Sequence, residues 1–228
     1  MRILAISDIH ANYAALERVL EEAPEYDLII CAGDIVGYGP SPNECIEALR
    51  KENTICVKGN HDHGMVSGET IYLNRVAKEA ISIQNDVILD ANLKWLRKLP
   101  EHSSPLLEEK RTYIVHGSPQ QPYREYLHPE NIQNKANYLH NLTGSQLIIL
   151  GHTHIPVIHP TEKGLIINPG SVGQPRDGNP MVSYMHIELD ETPKVSHGRI
   201  EYNIDQVTEK MEKLGFPSSL AIRLIRGW

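Results

Sequence analysis

The 228-residue sequence predicts an α/β fold built on a largely parallel sheet. Three observations predict it. Short apolar runs alternate with amphipathic stretches over the first sixty residues, five apolar runs each end in a short polar signature, and strands dominate from Gln146 onward. Taken in order, Arg2–Ser7 reads as a buried strand. Asn12 caps a helix in which Leu16, Val19, Leu20 and Ala23 recur at three- to four-residue spacing. Leu28–Ala32 is a second strand. Ser41-Pro42 supplies an N-cap and a proline at the first helical position, opening a helix through Ala48 and Leu49. Ile55–Val57 is a third strand, so the opening reads βαβαβ, with the right-handed crossovers that rhythm imposes.

Residues 70–99 read as two helices, the second opening at Asp90 with Leu93, Trp95, Leu96 and Leu99 on one face. Tyr113–Val115 is a strand and Pro129–Leu142 a helix. The strands Leu147–Leu150, Pro156–His159, Leu165–Ile167, Val182–Ile187 and Arg199–Tyr202 follow, then helices over Asp205–Leu214 and Ser218–Ile225. No repeat or linker interrupts the pattern. A single domain over 1–228 is expected, with its motif-bearing core at about 1–202 and C-terminal helices over 204–228.

Composition narrows the function. Hydrophobic content of 40% and charged content of 22% exclude disordered and fibrous classes. No apolar run reaches the ~18–20 residues that span a bilayer, and the N-terminal run is too short for a signal peptide. With Cys31, Cys45 and Cys56 unpaired by spacing, a cytoplasmic protein with reduced thiols is expected. A net charge of −7 without a Lys/Arg block gives no strong signal for nucleic-acid binding or for a membrane surface. Oligomeric state leaves no mark on the pattern. Twelve histidines beside one Phe and two Trp point instead to side chains kept for chemistry.

The five signatures are Ser7-Asp8-Ile9-His10, Gly33-Asp34, Gly59-Asn60-His61-Asp62, His116-Gly117 and Gly151-His152-Thr153-His154. Ligands of open α/β sheets bind outside the carboxyl ends of strands, so all five are expected on one rim. In extended backbone the pairs Asp8/His10 and His152/His154 would each point to one side. Carboxylates, an amide oxygen and imidazoles suit Mn, Fe, Co, Ni or Zn better than Mg or Ca. Seven such donors exceed what one ion needs, and two ions sharing a bridging carboxylate would use them all. Two divalent ions against Asp8, Asp34 and a hydroxide leave one positive charge, which a phosphodiester anion neutralises.

SDIH, GDIVG, GNHD, HGS and GHTH, in this order, resemble the blocks of the calcineurin-like metallophosphoesterases over roughly residues 1–202. The resemblance implies a four-layer αββα sandwich, which is an α/β (α+β) fold, with a dinuclear site on one rim. It implies one divalent transition-metal ion on Asp8, His10, Asp34 and His154 and a second on Asp34, Asn60, His116 and His152. Mn2+ or Fe is expected, with Zn2+, Ni2+ or Co2+ as alternatives. A hydroxide bridging the ions would attack phosphorus directly. His61 would assist the leaving oxygen, and Asp62 beside it would orient the imidazole and raise its pKa.

The serine/threonine phosphatases of this superfamily carry Asp-Arg after the second block and GNHE in the third. Here Asp34 is followed by Ile35, and the third block ends in Asp62. Asn168-Pro169-Gly170-Ser171 is instead similar to small prokaryotic phosphodiesterases. The expected substrate is a phosphodiester, with phosphomonoesters or nucleotides also within reach. A non-catalytic metal-binding scaffold and a phosphoprotein phosphatase stand as alternatives. Asn12, Tyr38 and Arg176 are candidate substrate contacts, Arg176 as a replacement for the missing arginine. Residues 64–100 and 118–142 carry no motif and are the expected source of substrate specificity.

Overall fold

Alternation along the strands decides how the layers stack. A computed structural model describes residues 1–228. Eleven strands and eight helices run β1 (Arg2–Ile6), α1 (Tyr13–Glu22), β2 (Leu28–Cys31), α2 (Pro42–Lys51), β3 (Thr54–Cys56), α3 (Asn60–Ser67), α4 (Arg75–Asn85) and α5 (Asp90–Lys98). They continue β4 (His102–Ser103), β5 (Leu106–Leu107), β6 (Lys110–Val115), α6 (Pro129–Thr143), β7 (Leu147–Ile149), β8 (Pro156–Thr161), β9 (Gly164–Pro169), β10 (Val182–Glu188), β11 (Lys194–Ile200), α7 (Ile204–Lys213) and α8 (Ser218–Arg226).

The first sheet has the order β11-β10-β1-β2-β3, with β1, β2 and β3 parallel. The second has the order β4-β6-β7-β9-β8, with β6, β7 and β9 parallel and β5 paired to β6. In the first sheet Leu4, Ile6, Ile29 and Cys31 face helices, packing with Leu16, Val19, Ile46 and Leu49. The alternate residues Ile3, Ala5, Leu28 and Ile30 face the second sheet and meet Ile114, Leu147, Ile149 and Ile167. Beyond that sheet Ile148, Leu150 and Ile166 pack on Ile132, Ala136 and Leu139 of α6. Helices, sheet, sheet and helix therefore make the αββα sandwich. Complete burial of Ile or Leu on both faces, each worth roughly 1.5–3 kcal/mol, holds the sheets together.

The elements differ from the sequence reading in three places. The third signature itself begins a helix, α3, although its hydrophobic pattern is weak. Two short strands, β4 and β5, add to the edge of the second sheet, and β11 starts at Lys194 rather than Arg199. Helices α7 and α8 are built into the larger core through Val207, Met211, Leu220 and Leu224. No helix is long and apolar enough to cross a membrane, and the three cysteines are free and buried.

Candidate active site

All five signatures leave the carboxyl ends of β1, β2, β3, β6 and β7, where the two sheets meet. Their backbone departs from the extended geometry expected for Asp8/His10 and His152/His154. Asp8 (φ 52°), His10 (48°), Asp34 (53°), His152 (70°) and His154 (59°) all lie in the left-handed region. For non-glycine residues that conformation costs roughly 1–2 kcal/mol each. Buried bonds between signatures offset it: Asp8 N–H donates to Gly33 O at 2.9 Å, His10 N–H to Asp34 O at 2.9 Å and Gly173 N–H to Asp8 O at 2.9 Å. Interlocked turns, rather than strand pleat, converge the side chains. Gly59 is required where these turns touch, because a Cβ there would lie 2.0 Å from Asp34 Oδ1.

Backbone carbonyls fix three imidazole tautomers. His116 Nδ1 donates to Ala32 O at 2.8 Å, His10 Nδ1 to Val36 O at 3.2 Å and His154 Nδ1 to Gln174 O at 2.5 Å. A carbonyl can only accept, so each ring presents an Nε2 lone pair inward. Those lone pairs face other acceptors. His10 and His154 Nε2 are 3.1 Å apart, and Asp8 Oδ1 is 3.3 Å from His154 Nε2. His116 Nε2 lies 3.1 Å from Asn60 Oδ1, 3.1 Å from His152 Nδ1 and 3.2 Å from Asp34 Oδ2. Asp8 Oδ1 and His152 Nε2 are buried with no hydrogen-bond partner.

Acceptors crowded against acceptors in a dry site repel unless a cation lies among them. The donor set therefore fits divalent metal. In three groups the donor atoms lie within 4.8 Å of one another, Asp8/His10/His154, Asp34/His116/His152 and, overlapping both, His10/Asp34/His61. Asp34 reaches both, with Oδ2 3.8 Å from His10 Nε2 and 3.2 Å from His116 Nε2. Burial pulls the His10, His152 and His154 imidazoles down, so they stay neutral donors. Burial also disfavours a charged His116, but Asp34 and Asp8 outweigh it and leave that ring at about 9, so without metal its Nε2 holds a proton against Asp34 that a bound cation would displace. Burial pushes Asp8 up to about 7.

Asp62 and Asn12 are corrected by their contacts. Asp62 does not touch the His61 ring: its Oδ1 accepts from Ile35 and Val36 N–H at 2.9 and 3.0 Å, and its Oδ2 from Gly59 N–H at 2.9 Å. Sitting in the first turn of α3, the carboxylate clamps the second and third signatures together. His61 Nδ1 has no partner, and burial pulls the ring down to about 4 against an opposing Asp34, the reverse of the expected rise. Asn12 caps α1 by accepting from Ala15 N–H at 3.2 Å and donates to Gly173 O at 2.9 Å. At 1% exposure it presents no open surface to a substrate.

His61 opens onto a cleft of about 350 Å³ shared with Tyr38, Asn60, Tyr72, Tyr126 and His152. Tyr38 packs 4.5 Å from the His61 ring and 4.6 Å from His10, with its hydroxyl accepting from Asn74 at 3.2 Å and Arg176 at 3.4 Å. Tyr126 stacks on His152 with ring centres 3.7 Å apart. It comes from one of the motif-free segments, as does Tyr72 from the other. Arg223 of α8 also comes to the site, 5.8 Å from the Tyr38 ring, and no local pattern marks it.

A model of the calcineurin-like phosphoesterase superfamily domain matches residues 1–192. An uncharacterized protein of Methanocaldococcus jannaschii is 38% identical, covering 99% of this chain and 98% of that one. Phosphodiesterase YfcE of Escherichia coli is 28% identical over 83% of this chain and 89% of its own. The crystal structure of a metallophosphoesterase from Sphaerobacter thermophilus superposes with a TM-score of 0.86 at 38% identity, covering 100% of this chain and 99% of that one. Interlocked strand-end turns, buried donors facing one another and these likenesses agree: the chain belongs to the calcineurin-like phosphoesterase superfamily, the metal-dependent hydrolases of phosphate esters.

Proposed function

We propose that the chain is a dinuclear phosphodiesterase acting on small phosphate esters or nucleotides. The observation that carries this reading is the Asp34 carboxylate, placed between two sets of buried nitrogen and oxygen donors, Asp8/His10/His154 and His116/His152. Asp8, His10, Asp34 and His154 would hold one ion, and Asp34, Asn60, His116 and His152 the other. Nitrogen and oxygen donors without thiolate favour Mn2+ or Fe. Two such ions would supply a hydroxide nucleophile near neutral pH and positive charge against the phosphate oxygens.

The chain's own groups do the rest. The turns hold the donors rigid, so the site needs little reorganisation. His61, at the mouth of the cleft with Nε2 3.9 Å from Asp34 Oδ2 and neutral near pH 7, would steady the departing oxygen with its ring N–H. Arg176, partnered only by Tyr38 and Gln174, keeps N–H donors free for an anionic group of the substrate outside the reacting centre. The name of the Escherichia coli relative supports a diester over a monoester. Buried free cysteines fit a reducing compartment such as the cytoplasm.

Turnover of bis-p-nitrophenyl phosphate and p-nitrophenyl phosphate by Mn2+-loaded protein tests the reading. The diester is expected to be the better substrate. His61→Ala should lower kcat by about 10²–10⁴ while both ions stay bound. Loss of neither ester across Mn2+, Fe2+, Ni2+ and Zn2+ would favour the scaffold instead.

A further inference from the structure

Of the five half-buried arginines, the two beside Tyr38 lack the carboxylate partner that the other three have. Arg2, Arg18, Arg199, Lys135 and Lys210 each meet a carboxylate. Arg176 and Arg223 do not. Each guanidinium carbon lies 5.8 Å from the Tyr38 ring centre, so the two are no more than roughly 12 Å apart. Both side chains are half-buried. Arg176 has two long contacts to neutral oxygens, Tyr38 OH and Gln174 Oε1, both at 3.4 Å. The Arg223 guanidinium, on α8 and beyond the matched family domain, donates to no protein acceptor. Stacking over one phenol offsets only part of the cost of holding two like charges together.

Tyr38 itself is set firmly. It is 3% exposed, adopts φ 54°, and packs on both His10 and His61. Both guanidiniums thus lie against a ring that itself packs on His10 and His61. On the dinuclear reading, the ions, Asp8, Asp34 and a hydroxide leave a single positive charge for the phosphodiester to neutralise. The two guanidiniums are then surplus by two charges, and a phosphate monoester carries about −1.5 to −2 at pH 7.

We propose that Arg176 and Arg223 form a clamp for a second, non-reacting phosphate of the substrate, so that α8 sets specificity for doubly phosphorylated esters. The inference rests on the phosphodiesterase reading for its charge balance, and its test is a binding measurement that needs no turnover. Thymidine 5′-(p-nitrophenyl phosphate) and its 3′-phosphorylated counterpart differ only by that group. Their dissociation constants are measured by calorimetry on Mn2+-loaded His61→Ala protein. The extra phosphate should tighten binding by about 10- to 100-fold, the range of charge-assisted bonds. In the same background Arg223→Gln and Arg176→Gln should each shrink that advantage markedly, and Arg223→Lys should keep part of it. Equal constants for the two esters, or an advantage that survives Arg223→Gln, would overturn the clamp. Failure of wild-type protein to cleave either ester would overturn the phosphodiesterase reading and leave these constants to judge the clamp by themselves.

Discussion

Gly37 shows how tightly the site is held at the scale of single residues. Its φ is +90°, and a Cβ there would lie 2.1 Å from His61 Nδ1. Gly37→Ala should displace the imidazole and lower kcat on bis-p-nitrophenyl phosphate by at least about tenfold, since misplacement of a catalytic group by ~1 Å costs about 10²-fold. Metal content should not change. Asp62→Ala acts differently. It leaves the N–H groups of Ile35, Val36 and Gly59 without their acceptor in a buried place, a loss of about 2–4 kcal/mol readable by denaturant unfolding. The candidate metal donors were legible in the sequence because each signature follows an apolar run by only a few residues. Their left-handed backbone was not, because nothing in His10, His152 or His154 favours it locally. Tertiary bonds such as Gly173 N–H to Asp8 O impose it. For the same reason Asp62, adjacent in sequence to His61, belongs in space to the second signature's loop.

Elements follow a similar division. Helix α1 was legible from its Asn12 cap and apolar spacing, and β1, β2 and β7 from short buried runs. Helix α3 was hidden because its sequence, Asn-His-Asp-His-Gly-Met-Val-Ser, has no apolar stripe; its first turn buries the polar Asn60, His61 and Asp62, and Met65 is its only residue within the buried hydrophobic core. The edge strands β4 and β5 are two residues each, too short to show a period. Helix α8 was expected from its pattern, yet its approach to Tyr38 depends on packing between distant parts of the chain. Leu220, fully buried in that packing, anchors the helix. Leu220→Ala should cost about 2–5 kcal/mol of stability, read as a lower thermal midpoint.

For the whole molecule, the sandwich places one rim of each sheet around a dry set of mutually repelling donors. Stability and metal binding are therefore linked. A divalent ion that binds the folded chain alone, at 100 times its dissociation constant, adds about 2.7 kcal/mol. Thermal unfolding should move upward with Mn2+, and chelation should reverse it. A net charge of −7 is compatible with an anionic substrate: two divalent ions would bring the holoprotein to −7 + 4 = −3, with the positive field concentrated at the cleft.

The shared carboxylate is the centre of this account, and metal content per chain tests it most directly. Elemental analysis of Mn2+-loaded wild-type protein should give about two ions per chain, and Asp34→Ala should give fewer than one, because both donor sets lose the group they share. A single ion in the wild type, or two retained in Asp34→Ala, would contradict it.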